Sequence, residues 1–218
     1  MRTIAFVTQK GGSGKSTLAS SVAIAAHESG ERVFVIDMDP QKSLVNWAKS
    51  RGLDDVPVCS ATPAKLPATL TALEKNGITL VVIDTAGADG GSASAAMKAA
   101  DLNIIPSRPN IFDLWASEQT CATLKEARSD FVFVLNQCPP AQQSARVEEG
   151  AETLEAMGGL LTPLVLARVD YQEAARAGCG VTEINPHGAA AAEIKALWAS
   201  IKRRLARGKT KTTVRKAA

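Results

Sequence analysis

Lys10, Gly11, Gly12, Ser13, Gly14, Lys15, Ser16 and Thr17 form one uninterrupted run. Two cations, three glycines and three hydroxyls in eight residues suit the gripping of a phosphate chain. Glycines let the backbone curl so that successive N–H groups turn inward toward phosphate oxygens. Lys15 is placed to supply a cation to β- and γ-phosphates, and the Ser16 hydroxyl to ligate Mg²⁺. The generic spacing of such loops puts glycine at position 9, where this chain has Gln9. Lys10 instead adds a second cation on the rim, where it can offset charge that builds up in phosphoryl transfer. A plain glycine-rich turn is the bland alternative to this reading.

Two further constellations fit the same chemistry. Asp37 and Asp39 end an apolar run two residues apart, so in an extended chain their side chains point the same way. Paired carboxylates beside a triphosphate suit Mg²⁺ held through water and orientation of an attacking water. Asp84 ends the apolar run 80–84, as a Mg²⁺-holding carboxylate does at a strand end. Thr85, Ala86, Gly87, Gly90 and Gly91 come next and read as a glycine-rich switch loop.

These residues need a frame. Strand-length apolar runs recur at 4–8, 32–37, 56–59, 80–84, 102–106, 131–136 and 164–167. Most are continuous rather than alternating, which predicts parallel strands buried on both faces. Helical patterns lie between them at 15–29, 41–51, 64–76, 92–100, 112–127, 143–157 and 188–206. The alternation predicts a single α/β domain with a doubly wound, mostly parallel sheet. Ligands in such sheets sit beyond the carboxyl ends of the strands, where the chemistry-bearing residues fall. Within helix 188–206, Ile194, Leu197, Trp198, Ile201 and Leu205 make one apolar face. That face either docks on the sheet or lies on lipid, and its place as the last covering helix favours docking.

The loop resembles the deviant Walker A motif of the ParA/MinD family of ATPases, and the resemblance covers about residues 1–205. It implies ATP and Mg²⁺ as ligands, and a homodimer formed with ATP in which Lys10 reaches the nucleotide of the other subunit. Asp37, Asp39, Pro40 and Gln41 resemble the family's A′ motif, which implies that Asp39 positions the hydrolytic water and Asp37 serves the metal and the switch. The run ending at Asp84 resembles its Walker B strand. The segment 100–109, ending at Pro109, resembles a family loop that lies beside the nucleotide and the dimer interface. Asn136 matches a position that reads the adenine edge, and its amide is able to pair with adenine. Segment 168–174 resembles a family stretch whose basic residues, with those of the final helix, face DNA. Arg168, Lys202, Arg203, Arg204 and Arg207 are therefore the DNA-facing candidates, although Arg168 reads equally well as half of a surface salt bridge.

The resemblance is to short ParA-type proteins. It implies an ATPase, weak until stimulated, that binds DNA without sequence preference and positions a plasmid, a chromosome or a protein cargo. A ParB-type or cargo-adaptor protein would stimulate it. The alternatives are a MinD-like ATPase that cycles on membranes and a metabolic ligase of the dethiobiotin-synthetase kind. Lys10 and the run 39–41 argue against the ligase.

The formal net charge of +3 conceals an asymmetry. Residues 202–218 carry eight basic side chains and no acid, which leaves the first 201 residues at −5. A basic end on an acidic body predicts a polyanion partner, and residues 207–218 read as a disordered basic tail. No apolar run reaches the length of a membrane span and none reads as a leader, so a cytoplasmic, nucleoid-associated protein is expected. The four cysteines show no metal-ligand spacing, as expected of reduced thiols.

Overall fold

The strand runs are continuously apolar because each strand is covered on both faces. The computed structural model describes residues 1–87, 90–140 and 144–216, with side chains through residue 207. Among these residues one sheet contains β1 (Arg2–Phe6), β2 (Val33–Asp37), β3 (Val58–Ser60), β4 (Leu80–Asp84), β5 (Leu102–Ser107) and β6 (Phe131–Leu135). All pairings are parallel, in the order β3-β2-β4-β1-β5-β6. The helices are α1 (Lys15–Glu28), α2 (Ser43–Arg51), α3 (Leu66–Lys75), α4 (Gly90–Ala99), α5 (Ile111–Glu126), α6 (Ala145–Gly158), α7 (Val169–Arg176), α8 (Val181–Ile184) and α9 (Ala189–Lys216).

Strand side chains alternate between two cores. Ile4, Phe6, Val33, Val35, Leu80 and Val82 pack with α1, α2 and α7 to α9. Ala5, Val7, Ile36, Val81 and Ile83 pack with α3 to α6. α1 is buried along most of its length, and Ala19, Ala23 and Ala26 let neighbouring elements approach closely. Register then aligns the strand ends. Phe6 lies opposite Asp84, and Asp84 opposite Asp37. The end of β1, which feeds the glycine-rich loop, thus stands beside two carboxylates.

Two expectations are corrected. Segment 164–167 is not a seventh strand; Leu166 makes one isolated bridge to Cys138, and Leu160 another to Phe133. Pro163 has no N–H to give between the bonds from Leu161 N to Phe133 O and from Val165 N to Leu135 O, so the ladder is interrupted. α7 and α8 fill 169–184, where no helix was expected. α9 is assigned from Ala189 to Lys216. Gly208 and the threonines beyond it are weak helix formers, but extending a docked helix avoids the cost of a new nucleus. The side chains of 208–218, and residues 88–89 of the expected switch loop, lie outside the described residues.

The apolar face of α9 is docked. Ile194, Leu197, Trp198, Ile201 and Leu205 are all buried, and Trp198 Nε1 donates to Ser29 Oγ at 2.8 Å. Burying one such side chain contributes roughly 1.5–3 kcal/mol, so lifting this face onto lipid would forfeit much of the fold's stability. Among the described residues no helix is long and apolar enough to cross a membrane.

Candidate functional site

The loop between β1 and α1 holds a shape that two of its glycines require. Gly12 has φ +75° and Gly14 φ +92°, where L side chains are strained. A Cβ on Gly14 would also stand 2.3 Å from Asn136 Nδ2. That amide donates to Ser13 O at 2.8 Å, and Gln137 Nε2 donates to Gly12 O at 3.1 Å. The end of β6 therefore fastens two loop carbonyls. Leu18 N is bonded to Gly14 O, so the N–H groups of Lys15, Ser16 and Thr17 belong to the open first turn of α1. That turn is an anion-binding end.

Lys15 is buried, and its ammonium donates to Lys10 O at 3.2 Å. Burial lowers its pKa, against the pull of Asp84 and Asp39. Ser16 Oγ donates to Asp84 Oδ2 at 2.6 Å. The other oxygen, Asp84 Oδ1, is buried with no hydrogen-bond partner among the described residues. Burial above all pushes the Asp84 carboxyl up to about 7, opposed by the Ser16 hydroxyl. An orphaned carboxylate oxygen beside a hydroxyl, both at a phosphate loop, fits Mg²⁺. Ser16 and Asp84 are the residues that would hold it, and its chemistry there would be to neutralise phosphate charge.

This yields a pH prediction. Asp84 ionises near 3.8 unfolded and near 7 folded, so between those values the folded chain holds the extra proton. Stability without nucleotide therefore falls as pH rises through that window, by on the order of 4 kcal/mol. Asp84→Asn keeps an acceptor for Ser16 and removes the dependence. Thermal melts at about pH 5 and pH 8 check this; equal slopes for wild type and variant would contradict it.

Asp37 is engaged by backbone N–H groups. Its Oδ2 accepts from Leu44 N at 2.9 Å and Val45 N at 3.1 Å, and its Oδ1 from Asp39 N at 3.0 Å. It caps the start of α2 from a distance, where the local N-cap Lys42 offers no side-chain bond. Burial raises its pKa while those N–H groups lower it. Both oxygens are thus engaged by backbone N–H groups. Asp39 is half-buried; its Oδ1 accepts from Gln41 N at 2.9 Å. The capping role was not legible in the sequence, because it depends on a turn that returns 44–45 to the strand end.

Beside the loop lies a cavity of about 500 Å³, lined by Gly14, Thr17, Asn136, Leu166, Arg168 and Tyr171 among others. This size suits a nucleoside. Asn136 lines it, and its amide nitrogen is bound to Ser13 O. Pro109 does not line it; it is buried beside Gly150 of α6. Gly87 approaches from the other side, and a Cβ there would meet Gly11 N at 3.0 Å.

Lys10 is half-buried, and among the described residues its ammonium makes no ion pair. At the same end of the sheet, Ile111, Phe112 and Trp115 of α5 are exposed, with Phe112 and Trp115 edge to face at 5.6 Å. They begin a helix that succeeds the carboxyl end of β5, which places them at the loop's end of the molecule. The sequence shows these residues but not their exposure.

The DNA-facing candidates are not brought together. Arg168 sits at the carboxyl end of the sheet and pairs with Glu193 at 2.6 Å. Arg204 pairs with Asp130, just before β6, and Lys202 with Glu31, just before β2, so both lie at the amino end. α9 thus runs antiparallel to the strands, and Glu193 and Arg204 are about 16 Å apart along it. Arg203 donates to Ser200 Oγ, and Arg207 is exposed.

Fold and loop together define a P-loop nucleotide-binding protein with a doubly wound sheet. Residues 4–179 match the CobQ/CobB/MinD/ParA nucleotide binding domain, and the chain belongs to that family. It is 30% identical over 200 residues to "Maintenance of carboxysome distribution protein A" of Halothiobacillus neapolitanus, covering 88% of this chain and 91% of the relative. It is 28% identical over 128 residues to "Protein ParA" of Rhizobium radiobacter, covering 58% of this chain and 57% of that one. Among solved structures, apo McdA of Cyanothece aligns with TM-score 0.78 at 16% identity, over 94% of this chain and 99% of that one. MinD of Pyrococcus horikoshii complexed with Mg-ADP aligns with TM-score 0.74 at 20% identity, over 95% and 98%. The chain is thus a ParA/MinD-family NTPase.

Proposed function

We propose that this chain is a ParA-type positioning ATPase. ATP with Mg²⁺ joins two copies loop to loop, the dimer holds DNA without sequence preference, and an adaptor protein stimulates hydrolysis to release it. The observation that carries this reading is the pair of lysines on one loop. Lys15 is buried toward Asp84, while Lys10 stands on the rim and, among the described residues, pairs with no acid of its own chain. Relatives named for carboxysome distribution and for ParA support a protein assembly, a plasmid or a chromosome as cargo. The buried apolar face of α9 weighs against a membrane cycle of the MinD kind.

The placement of the basic residues shapes the DNA reading. Lys202, Arg203, Arg204 and Arg207 lie at the end of the sheet remote from the loop, so a loop-to-loop dimer carries them at two separate poles. ATP then strengthens DNA binding by bivalency rather than by building one larger surface. With about four phosphate contacts per pole, raising salt from about 50 to about 200 mM weakens a single-pole complex about 10²-fold, and a two-pole complex about 10⁴-fold. Scrambled sequence makes no difference, because phosphate contacts carry no base information.

Fluorescence anisotropy with short and long duplexes tests this, using Asp39→Ala to hold the ATP state. That substitution is expected to leave ATP binding and dimerisation intact while hydrolysis stops. ATP should steepen the salt slope on long DNA only. Equal binding with ATP, ADP and no nucleotide would reject the proposal, and ATP-dependent binding to anionic liposomes instead of DNA would favour the MinD-like cycle.

A further inference from the structure

Segment 166–171 forms one wall of the cavity beside the loop, and it has no strand ladder to hold it. Leu166 is only a single bridge, and Arg168, the N-cap of α7, makes no side-chain capping bond. The wall's backbone is tied near the end of β6 by Ala167 N to Cys138 O at 2.8 Å and Cys138 N to Val165 O at 3.0 Å, and its side chains are gathered by one carboxylate on α9. Glu193 Oε1 accepts from Arg168 Nε at 2.9 Å and from Nη2 at 2.6 Å. Glu193 Oε2 accepts from Leu166 N and from Tyr171 OH, each at 3.3 Å. All three of those residues line the cavity, and Glu193 does not. Its side chain is 13% exposed, so the bonds form with little competition from water.

We infer that Glu193 is a positioning residue for the base of the nucleotide. It gathers four donors from three wall residues and so sets the distance between that wall and the Gly14–Asn136 side of the cavity. Without it, Arg168 is left with an unpaired guanidinium, Tyr171 with an unpaired buried hydroxyl and Leu166 with an unpaired N–H. Each then turns toward solvent or toward another partner, and the wall moves with it. The phosphates are held elsewhere, by the loop and Lys15, so Glu193 affects the base end alone. The inference rests on the reading of loop and cavity as an ATP site.

Isothermal titration with Mg-ATP and with Mg-tripolyphosphate, which has no base, separates the two ends of the site. Glu193→Ala should weaken ATP by about tenfold, the scale of losing hydrogen bonds to charged groups, and leave tripolyphosphate within about twofold. Glu193→Gln keeps the length and an acceptor oxygen, so it should restore part of the ATP affinity; it also serves if the alanine variant does not fold. The inference is overturned if ATP and tripolyphosphate weaken together in a folded variant, or if neither changes. Lys15→Ala is the control for the site itself and should weaken both ligands. If that variant binds ATP like wild type, the nucleotide-site reading fails, and the role of Glu193 fails with it.

Discussion

Lys15→Ala should abolish tight ATP binding while leaving the nucleotide-free fold at least as stable as wild type. The two effects have opposite signs for one reason. Without phosphate, Lys15 is a buried cation whose burial lowers its pKa and whose hydrogen bond goes to a neutral carbonyl, Lys10 O. Removing it relieves that desolvation. With a triphosphate in the loop, the same ammonium becomes the principal cation on the phosphates. Leaving a buried charge without its partner costs about 3–5 kcal/mol, which is on the order of 10²–10⁴ in Kd. Calorimetric titration and a thermal melt measure the two halves. Near-native ATP affinity would remove the loop from the site, and a large loss of stability without nucleotide would make Lys15 structural.

Lys10→Ala should spare nucleotide binding by the monomer and cripple dimerisation and stimulated turnover. The Lys10 ammonium reaches no acid of its own chain among the described residues, while its backbone carbonyl serves Lys15 and Ser13. Alanine keeps that carbonyl. A cation supplied across an interface contributes about 10³–10⁵ in related phosphoryl transfers. A lysine lacks the two-pronged geometry of arginine, so about 10³, or on the order of 4 kcal/mol, is the expected ceiling. Light scattering should show a weakened ATP dimer, and stimulated turnover should fall far more than ATP affinity. A normal dimer with unchanged turnover would leave the second lysine without a mechanistic role. The exposed Phe112 and Trp115 share this end of the molecule, so hydrophobic contact there would be lost along with the dimer.

Much of the site was legible because its residues are consecutive in the chain or end an apolar run. The phosphate loop needs local geometry alone, and glycine, lysine and hydroxyl at fixed spacing declare it. Asp84 was legible because a buried parallel strand leaves few polar positions except at its end. The sheet was legible for the same reason, apart from segment 164–167, where apolar composition resembles a strand but Pro163 breaks the ladder. The docking of α9 was legible from its apolar stripe.

Other features depend on which distant residues meet. The order β3-β2-β4-β1-β5-β6 brings Asp37 beside Asp84, and only then does the turn of α2 occupy Asp37 Oδ2 with two backbone N–H groups. The path of α9 puts Glu193 behind the cavity beside the loop and Arg204 at the opposite end of the sheet. In sequence Arg168 and Arg204 look like one basic surface; in space each pairs with its own acid, far from the other. The sequence by itself determined the phosphate chemistry, the parallel α/β class and the basic end, because each arises from local spacing, apolar periodicity or composition. Among the described residues, tertiary structure alone decided which carboxylate keeps a free oxygen, which cations remain unpaired and which wall of the cavity meets Glu193. Those outcomes are set by burial and by which partners the fold brings together, 25 residues apart for Arg168 with Glu193 and 74 for Arg204 with Asp130, and no local pattern encodes them.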